Sequence, residues 1–253
     1  MSIEMQGDFT GKTYWIIGAS SGIGAAVSKM LAQAGAKVIL TARGLACLDA
    51  LAERCAGQAL VLPGNMLDTG EPQRLCDLLK AATITLDGLV YCVGLGNKMR
   101  LRQITLAGMQ EAMLGNCFAF VELVRLLSGA KKKAHLLRIV AISSLASAEF
   151  QKYLTLYAMG KAALEASVRC LSAELGNRNV RINCIRPAFV DTPRLAGLNE
   201  LTGGVEEELK KSGYQPLGLI PARNVASLAL FLLSDAAAYI NGASLPINAG
   251  APC

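Results

Sequence analysis

Tyr157 and Lys161 stand four residues apart in LYAMGKAALEA (156–166). In a helix that spacing puts both side chains on one face. A phenol beside an ammonium can exchange a proton with a bound group. Free tyrosine titrates at about pH 10, and a neighbouring positive charge favours the phenolate. The same pair also reads as an ordinary packed helix face, and a chain with six tyrosines can supply it by composition alone. The rest of the sequence has to decide between the two.

A second group with chemical potential lies in WIIGASSGIGAAV (15–27), where Gly18, Gly22 and Gly24 follow an apolar strand and open an apolar helix. Glycines at such a junction let backbone approach a phosphate closely. The helix N-terminus then offers unpaired N–H groups and the positive end of its dipole. Ser20 and Ser21 lie within the same turn. The second strand ends in LTAR (40–43). An acidic residue there would bind the adenosine ribose hydroxyls of NAD(H). Instead Arg43 offers a guanidinium suited to a 2′-phosphate, which predicts NADP(H) in preference to NAD(H).

The elements that must position these groups alternate regularly. Short apolar strands are predicted at 13–18, 36–42, 58–65, 86–94, 137–144, 180–188 and 244–250. Helices are predicted at 24–35, 44–56, 71–82, 106–128, 153–176 and 224–234. Strands that are apolar on both faces and separated by helices call for a parallel sheet covered on both sides. The expected fold is α/β, a Rossmann-type doubly wound three-layer sandwich with a seven-stranded parallel sheet. Residues 1–253 are expected to form one dinucleotide-binding and catalytic domain. The polar, weakly periodic stretch 192–218 is expected to be a loop or lid over the site.

Composition narrows the alternatives. Apolar residues make up 53% of the 253, enough for a large core, and charged residues only 17%. No apolar run approaches the roughly 20 residues of a membrane span, and the N-terminus lacks a signal core, so a cytoplasmic protein is expected. The eight cysteines (47, 55, 76, 92, 117, 170, 184 and 253) form no Cys-x-x-Cys and are expected to be reduced, buried thiols. With His135 as the single histidine, no His-rich metal site is expected. A net charge of +6 comes without a nucleic-acid motif.

Read together, GASSGIG (18–24), NCF at Asn116, ISSLAS (142–147), YAMGK (157–161), INCIRPAFVDTP (182–193) and FLLSDAAAYINGASLPINAG (231–250) resemble the single-domain short-chain dehydrogenase/reductases in order and spacing. The resemblance implies a catalytic set of Asn116, Ser144, Tyr157 and Lys161. In it Tyr157 is the proton donor or acceptor, Ser144 bonds the substrate oxygen, and Lys161 tunes Tyr157 and binds the nicotinamide ribose. Asn116 holds a water that links Lys161 to solvent. It also extends the cofactor contacts to Ile23, Asn65, Met66, Gly94, Pro187, Val190 and Thr192. Three positions depart from the family pattern: Ile17 replaces a threonine, Tyr91-Cys92-Val93-Gly94 replaces Asn-Asn-Ala-Gly, and Ala188 replaces a glycine.

The resemblance further implies a carbonyl/alcohol oxidoreductase and a homo-oligomer, tetramer or dimer. Lys98, Arg100, Arg102, Lys131–Lys133 and Arg178 are expected near the active-site mouth or on the adjoining surface, as in 3-oxoacyl-acyl carrier protein reductases, where basic residues would meet an acidic carrier protein. The altered 91–94 motif leaves room for a catalytically silent NADP-binding sensor or scaffold.

Overall fold

The computed structural model describes residues 9–96, 98–129, 135–149, 152–193, 195, 209 and 211–252. Strands β1 (Thr13–Ile17), β2 (Lys37–Thr41), β3 (Ala59–Val61), β4 (Gly88–Tyr91), β5 (Leu137–Ile142), β6 (Val180–Pro187) and β9 (Ser244–Ile247) form one sheet in the order β3-β2-β1-β4-β5-β6-β9. Every pairing in it is parallel. Two further strands, β7 (Val190–Asp191) and β8 (Ile220–Pro221), pair in a small second sheet.

Successive side chains of a strand point to opposite faces, and both faces here are apolar. Tyr14 and Ile16 of β1, with Val140 and Ile142 of β5, pack with helices α1 (Gly22–Gln33), α2 (Leu45–Ala52) and α7 (Ala222–Leu233). The intervening Trp15, Ile17, Ile139 and Ala141 pack with α3 (Glu71–Ala81), α5 (Ala119–Ser128) and α6 (Thr155–Leu175). This is the expected three-layer sandwich. Because β1 is flanked by β2 and β4, the chain winds in opposite directions from that point, and a crevice opens beyond the carboxyl ends of the strands.

The structure corrects several expectations. The predicted helix over 106–128 is three pieces: α4 (Leu106–Met113), a π-turn over Leu114–Phe118, and α5. LGNCF (114–118) carries no residue that forbids an ordinary helix, so the altered hydrogen-bond period is invisible in sequence. Most strands are shorter than predicted, because the apolar runs extend into the turns that line the crevice. Cys47 and Cys170 are exposed rather than buried. Each falls on an outward-facing helix position. Much of the expected lid, together with Lys131–Lys133 and Cys253, lies outside the described residues.

Candidate active site

The glycine turn is built by close approach. Gly18 follows β1 with φ +85°, and a Cβ there would lie 3.0 Å from the Cys92 carbonyl carbon. A Cβ on Gly24 would lie 2.2 Å from the Gly18 carbonyl oxygen. A side chain at either position would separate the turn from its neighbours. Thr41 locks the adjoining strands: its carbonyl accepts from Gly18 N (2.8 Å), and its hydroxyl accepts from Trp15 Nε1 (2.8 Å) and donates to Leu62 O (2.8 Å). Helix α1 starts at this turn with an extended Ser21 that makes no side-chain cap and with no acidic residue in its first turn. A helix N-terminus left uncapped in this way fits an anionic group such as a dinucleotide pyrophosphate.

The crevice has a volume of about 1150 Å³ and reaches from Arg43, Gly44 and Cys47 past Asn65 and Met66 to Ser144, Tyr157 and Lys161. Its described lining includes Arg43, Lys98 and Lys161 but no carboxylate. Every expected cofactor residue lines it: Gly18, Ser20, Ser21, Gly22, Ile23, Gly24, Arg43, Asn65, Met66, Gly94, Tyr157, Lys161, Pro187, Val190 and Thr192. Asn116 does not.

Two buried polar side chains shape this lining, and neither was identified from sequence. Glu71, in the first turn of α3, accepts from the Asn65 backbone N–H (3.1 Å) and from Arg74 Nη2 (2.7 Å). Arg74 holds the Glu71 carboxyl below the usual carboxylate range against the opposing effect of burial. Gln215, fully buried, grips the loop after β6. Its Oε1 accepts from Phe189 N (3.0 Å), and its Nε2 donates to Phe189 O (3.0 Å) and Gly218 O (2.6 Å). That grip fixes the approach to Val190 and Thr192.

Lys161 is 2% exposed. Its Nζ donates to Val93 O (2.9 Å) and Ile142 O (2.7 Å), and lies 5.9 Å from the centroid of the Tyr157 ring. The first carbonyl lies two residues past β4 and the second ends β5, so the ammonium is held at the carboxyl end of the sheet by the strands that flank the site. Ser144 follows β5. Its Oγ accepts from Ala146 N (3.2 Å), and among the described residues its hydroxyl hydrogen has no protein acceptor. Cys92, where the family pattern has asparagine, lines the crevice. Burial pushes its thiol up to about 12 while Lys161 pulls the other way, so it stays protonated at neutral pH.

Asn116 sits in the π-turn, fully buried. Its Nδ2 donates to Leu95 O (2.7 Å) and Ala112 O (2.8 Å), and its Oδ1 accepts from Leu95 N (3.1 Å). The amide therefore clamps the loop after β4. The absence of a side chain at Gly160 is what lets α6 lie against it.

The basic residues divide. Lys98 is exposed on the crevice, and Arg100 and Arg102, two and four residues on, are exposed and do not line it. Arg178 corrects the expectation: it lies between α6 and β6, with Nη1 donating to Gly129 O (3.3 Å). In a parallel sheet the start of β6 is at the edge opposite the crevice, so Arg178 is remote from the mouth. His135 also stays structural, with Nε2 against Leu86 O (3.0 Å). Among the described residues, no cluster of histidine, cysteine or carboxylate side chains could hold a metal ion, and no helix is long and apolar enough to cross a membrane.

Residues 18–251 match the family model described as enoyl-(acyl carrier protein) reductase, and the chain belongs to the short-chain dehydrogenase/reductase family. A curated relative, a 3-oxoacyl-(acyl-carrier-protein) reductase of Pseudomonas aeruginosa, is 31% identical, with 95% of this chain and 97% of the relative covered. A 3-oxoacyl (acyl-carrier-protein) reductase of Agrobacterium tumefaciens C58, solved with NADP bound, superposes with a TM-score of 0.87 at 25% identity over 99% of this chain and 98% of that one. A 7α-hydroxysteroid dehydrogenase solved with NADH and 7-oxo glycochenodeoxycholic acid gives 0.90 at 26% identity, with the same coverage. Membership supports interconversion of a carbonyl and an alcohol as the chemistry. The relatives differ in both substrate and cofactor.

Proposed function

We propose that the chain is an NADPH-dependent carbonyl reductase, one domain in extent, acting on a 3-oxoacyl thioester. The observation that carries the cofactor choice is the charge of the crevice: Arg43, Lys98 and Lys161 line it, and no carboxylate among the described residues does. A 2′-phosphate adds negative charge where Arg43 is exposed. An acidic residue at that point would repel it. The NADP-bound acyl-carrier-protein reductase relative favours the same choice and the same substrate class.

NADPH, when bound, supplies the hydride. The chain's residues manage the oxygen and the proton. Hydride addition builds negative charge on the carbonyl oxygen, and pre-placed donors stabilise that charge without reorganising. Ser144 donates its hydroxyl hydrogen to this oxygen. Tyr157 delivers a proton to it as the alkoxide forms. Lys161, immobilised by two carbonyls beside the Tyr157 ring, keeps a positive charge where the phenolate must be tolerated. Asn116 acts by holding the Leu95 turn. Lys98, Arg100 and Arg102 suit an acidic carrier at the mouth.

The test is NADPH oxidation against a panel of ketones and 3-oxoacyl thioesters, with NADH in parallel and Tyr157→Phe as control. The expected result is turnover of a 3-oxoacyl thioester with NADPH, lost in Tyr157→Phe while NADPH still binds. Absence of turnover with every carbonyl, with NADPH binding intact, would make the chain a nucleotide sensor instead.

A further inference from the structure

Glu165 lies on α6 four residues after Lys161 and eight after Tyr157, so the three share one stripe of the helix. It is 3% exposed and faces the sheet. Oε1 accepts from Ser143 Oγ (2.6 Å), from Ser147 Oγ and from Arg186 Nε (3.1 Å), and Oε2 accepts from Arg186 Nη2. Ser143 and Ser147 bracket Ser144. Ser147 Oγ also lies 2.7 Å from the Ser144 carbonyl oxygen, so its one hydrogen is shared between that oxygen and Glu165, and Ser143 N donates to Ile185 O (2.7 Å). Arg186 directly precedes Pro187 at the crevice. One carboxylate thus ties together the end of β5, the turn carrying Ser144, the helix carrying Tyr157 and Lys161, and the end of β6.

Stability alone does not require this arrangement. A buried ion pair gains little over apolar side chains of similar volume, because desolvation offsets its attraction. Four polar groups that converge beside a reacting serine are better accounted for by geometry. Arg186 and the two serine hydroxyls outweigh burial, which alone would raise the Glu165 carboxyl, and hold it below the usual carboxylate range. The acceptor is therefore ionised at neutral pH and can take all four bonds.

We infer that Glu165 is a positioning residue for Ser144: through Ser143 and Ser147 it fixes the turn from which Ser144 presents its hydroxyl, and Arg186 balances its charge. The inference rests on the reading of Ser144 as the donor to the substrate oxygen.

The experiment is a double-mutant cycle with a crystallographic arm. The paired replacement Glu165→Leu/Arg186→Met removes the clamp without leaving a lone buried charge. Ser147→Ala is a milder variant that serves if the pair fails to fold. Each is made in the parent and in Ser144→Ala. A misplaced group of about 1 Å costs about 100-fold, so a loss in kcat of about 10- to 100-fold is expected in the parent. In Ser144→Ala the further loss should stay under about threefold, with NADPH affinity unchanged within that factor, because the effect passes through Ser144. Crystal structures should show Ser144 Oγ displaced while Tyr157 and Lys161 stay in place. Equal losses in both backgrounds, or an unmoved Ser144 Oγ, would overturn the inference. If Ser144→Ala alone turns over at the parent rate, the role of Ser144 in the proposed function fails, and the crystal structures still decide whether Glu165 holds the turn.

Discussion

Gly160→Ala sets two measurable effects against each other. In the interior of a helix, alanine is favoured over glycine by about 1 kcal/mol, so propensity alone predicts a more stable protein. At this position the new Cβ would lie 2.8 Å from Asn116 Cβ, 3.1 Å from its Cγ and 3.1 Å from its Nδ2. Ordinary contact begins at 3.4 Å, so α6 and the π-turn must part by about 0.6 Å. Asn116 cannot simply swing aside, because its amide is bonded to Leu95 and Ala112. Overpacking of this kind costs about 1–3 kcal/mol. The rigid neighbour places Gly160→Ala in the upper half of that range, for a net destabilisation of about 1–2 kcal/mol. For a chain of this size each kcal/mol moves Tm by about 2–4 °C, so Tm should fall by about 2–8 °C. The separation also pulls Tyr157 and Lys161 away from the Val93–Leu95 turn that Asn116 and Lys161 both hold, so kcat should fall by about tenfold or more. Thermal melting and NADPH-dependent turnover of the same preparation read both effects. A Tm raised by about 2–4 °C with unchanged turnover would refute the reasoning, since it would mean that the contact relaxes at no cost and propensity wins.

Arg43→Ala should weaken NADPH binding by about 10- to 100-fold, the value of a charged hydrogen bond, and leave NADH binding within about threefold. Equal losses for both cofactors in a fluorescence titration would remove the 2′-phosphate from the argument. Among the described cysteines, Cys47 and Cys170 should be alkylated first in a timed peptide map. Burial keeps the Cys76 and Cys184 thiols at about 11 and the Cys92 thiol at about 12, so these three should lag. NADPH should protect Cys47, which lines the crevice beside Arg43, and not Cys170; protection of neither would place the adenosine end elsewhere. Glu165 is held below its unfolded value of about 4.3, so its contribution to stability is present above that pH and is lost as pH falls through the lower folded value. The Tm gap between the parent and Glu165→Gln should therefore be constant from pH 5 to 7 and narrow only as pH falls below the unfolded value; a gap that already narrows between pH 7 and 5 would contradict the assigned ionisation.

The amino-acid sequence alone determined the layers and most of the residues that line the crevice. The alternation of apolar runs with helical stretches is a direct record of a parallel sheet buried on both faces. The glycines at 18, 22 and 24 and the bare Arg43 are backbone and charge requirements that act locally, so they are legible without neighbours. Tyr157 and Lys161 are legible for the same reason, since helix geometry fixes their shared face. Three things were settled only by tertiary structure. Which basic residues reach the crevice depends on strand direction: the parallel sheet sends Lys98 to one edge and Arg178 to the other. The π-turn at 114–118 packs against α6 at Gly160, and nothing in LGNCF announces it. Glu165 has the spacing to be noticed, four residues beyond Lys161, yet a lone glutamate on a helix reads as a solvated side chain. Its meaning arises from Ser143, Ser147 and Arg186, residues 22, 18 and 21 positions away, which the fold brings to one carboxylate.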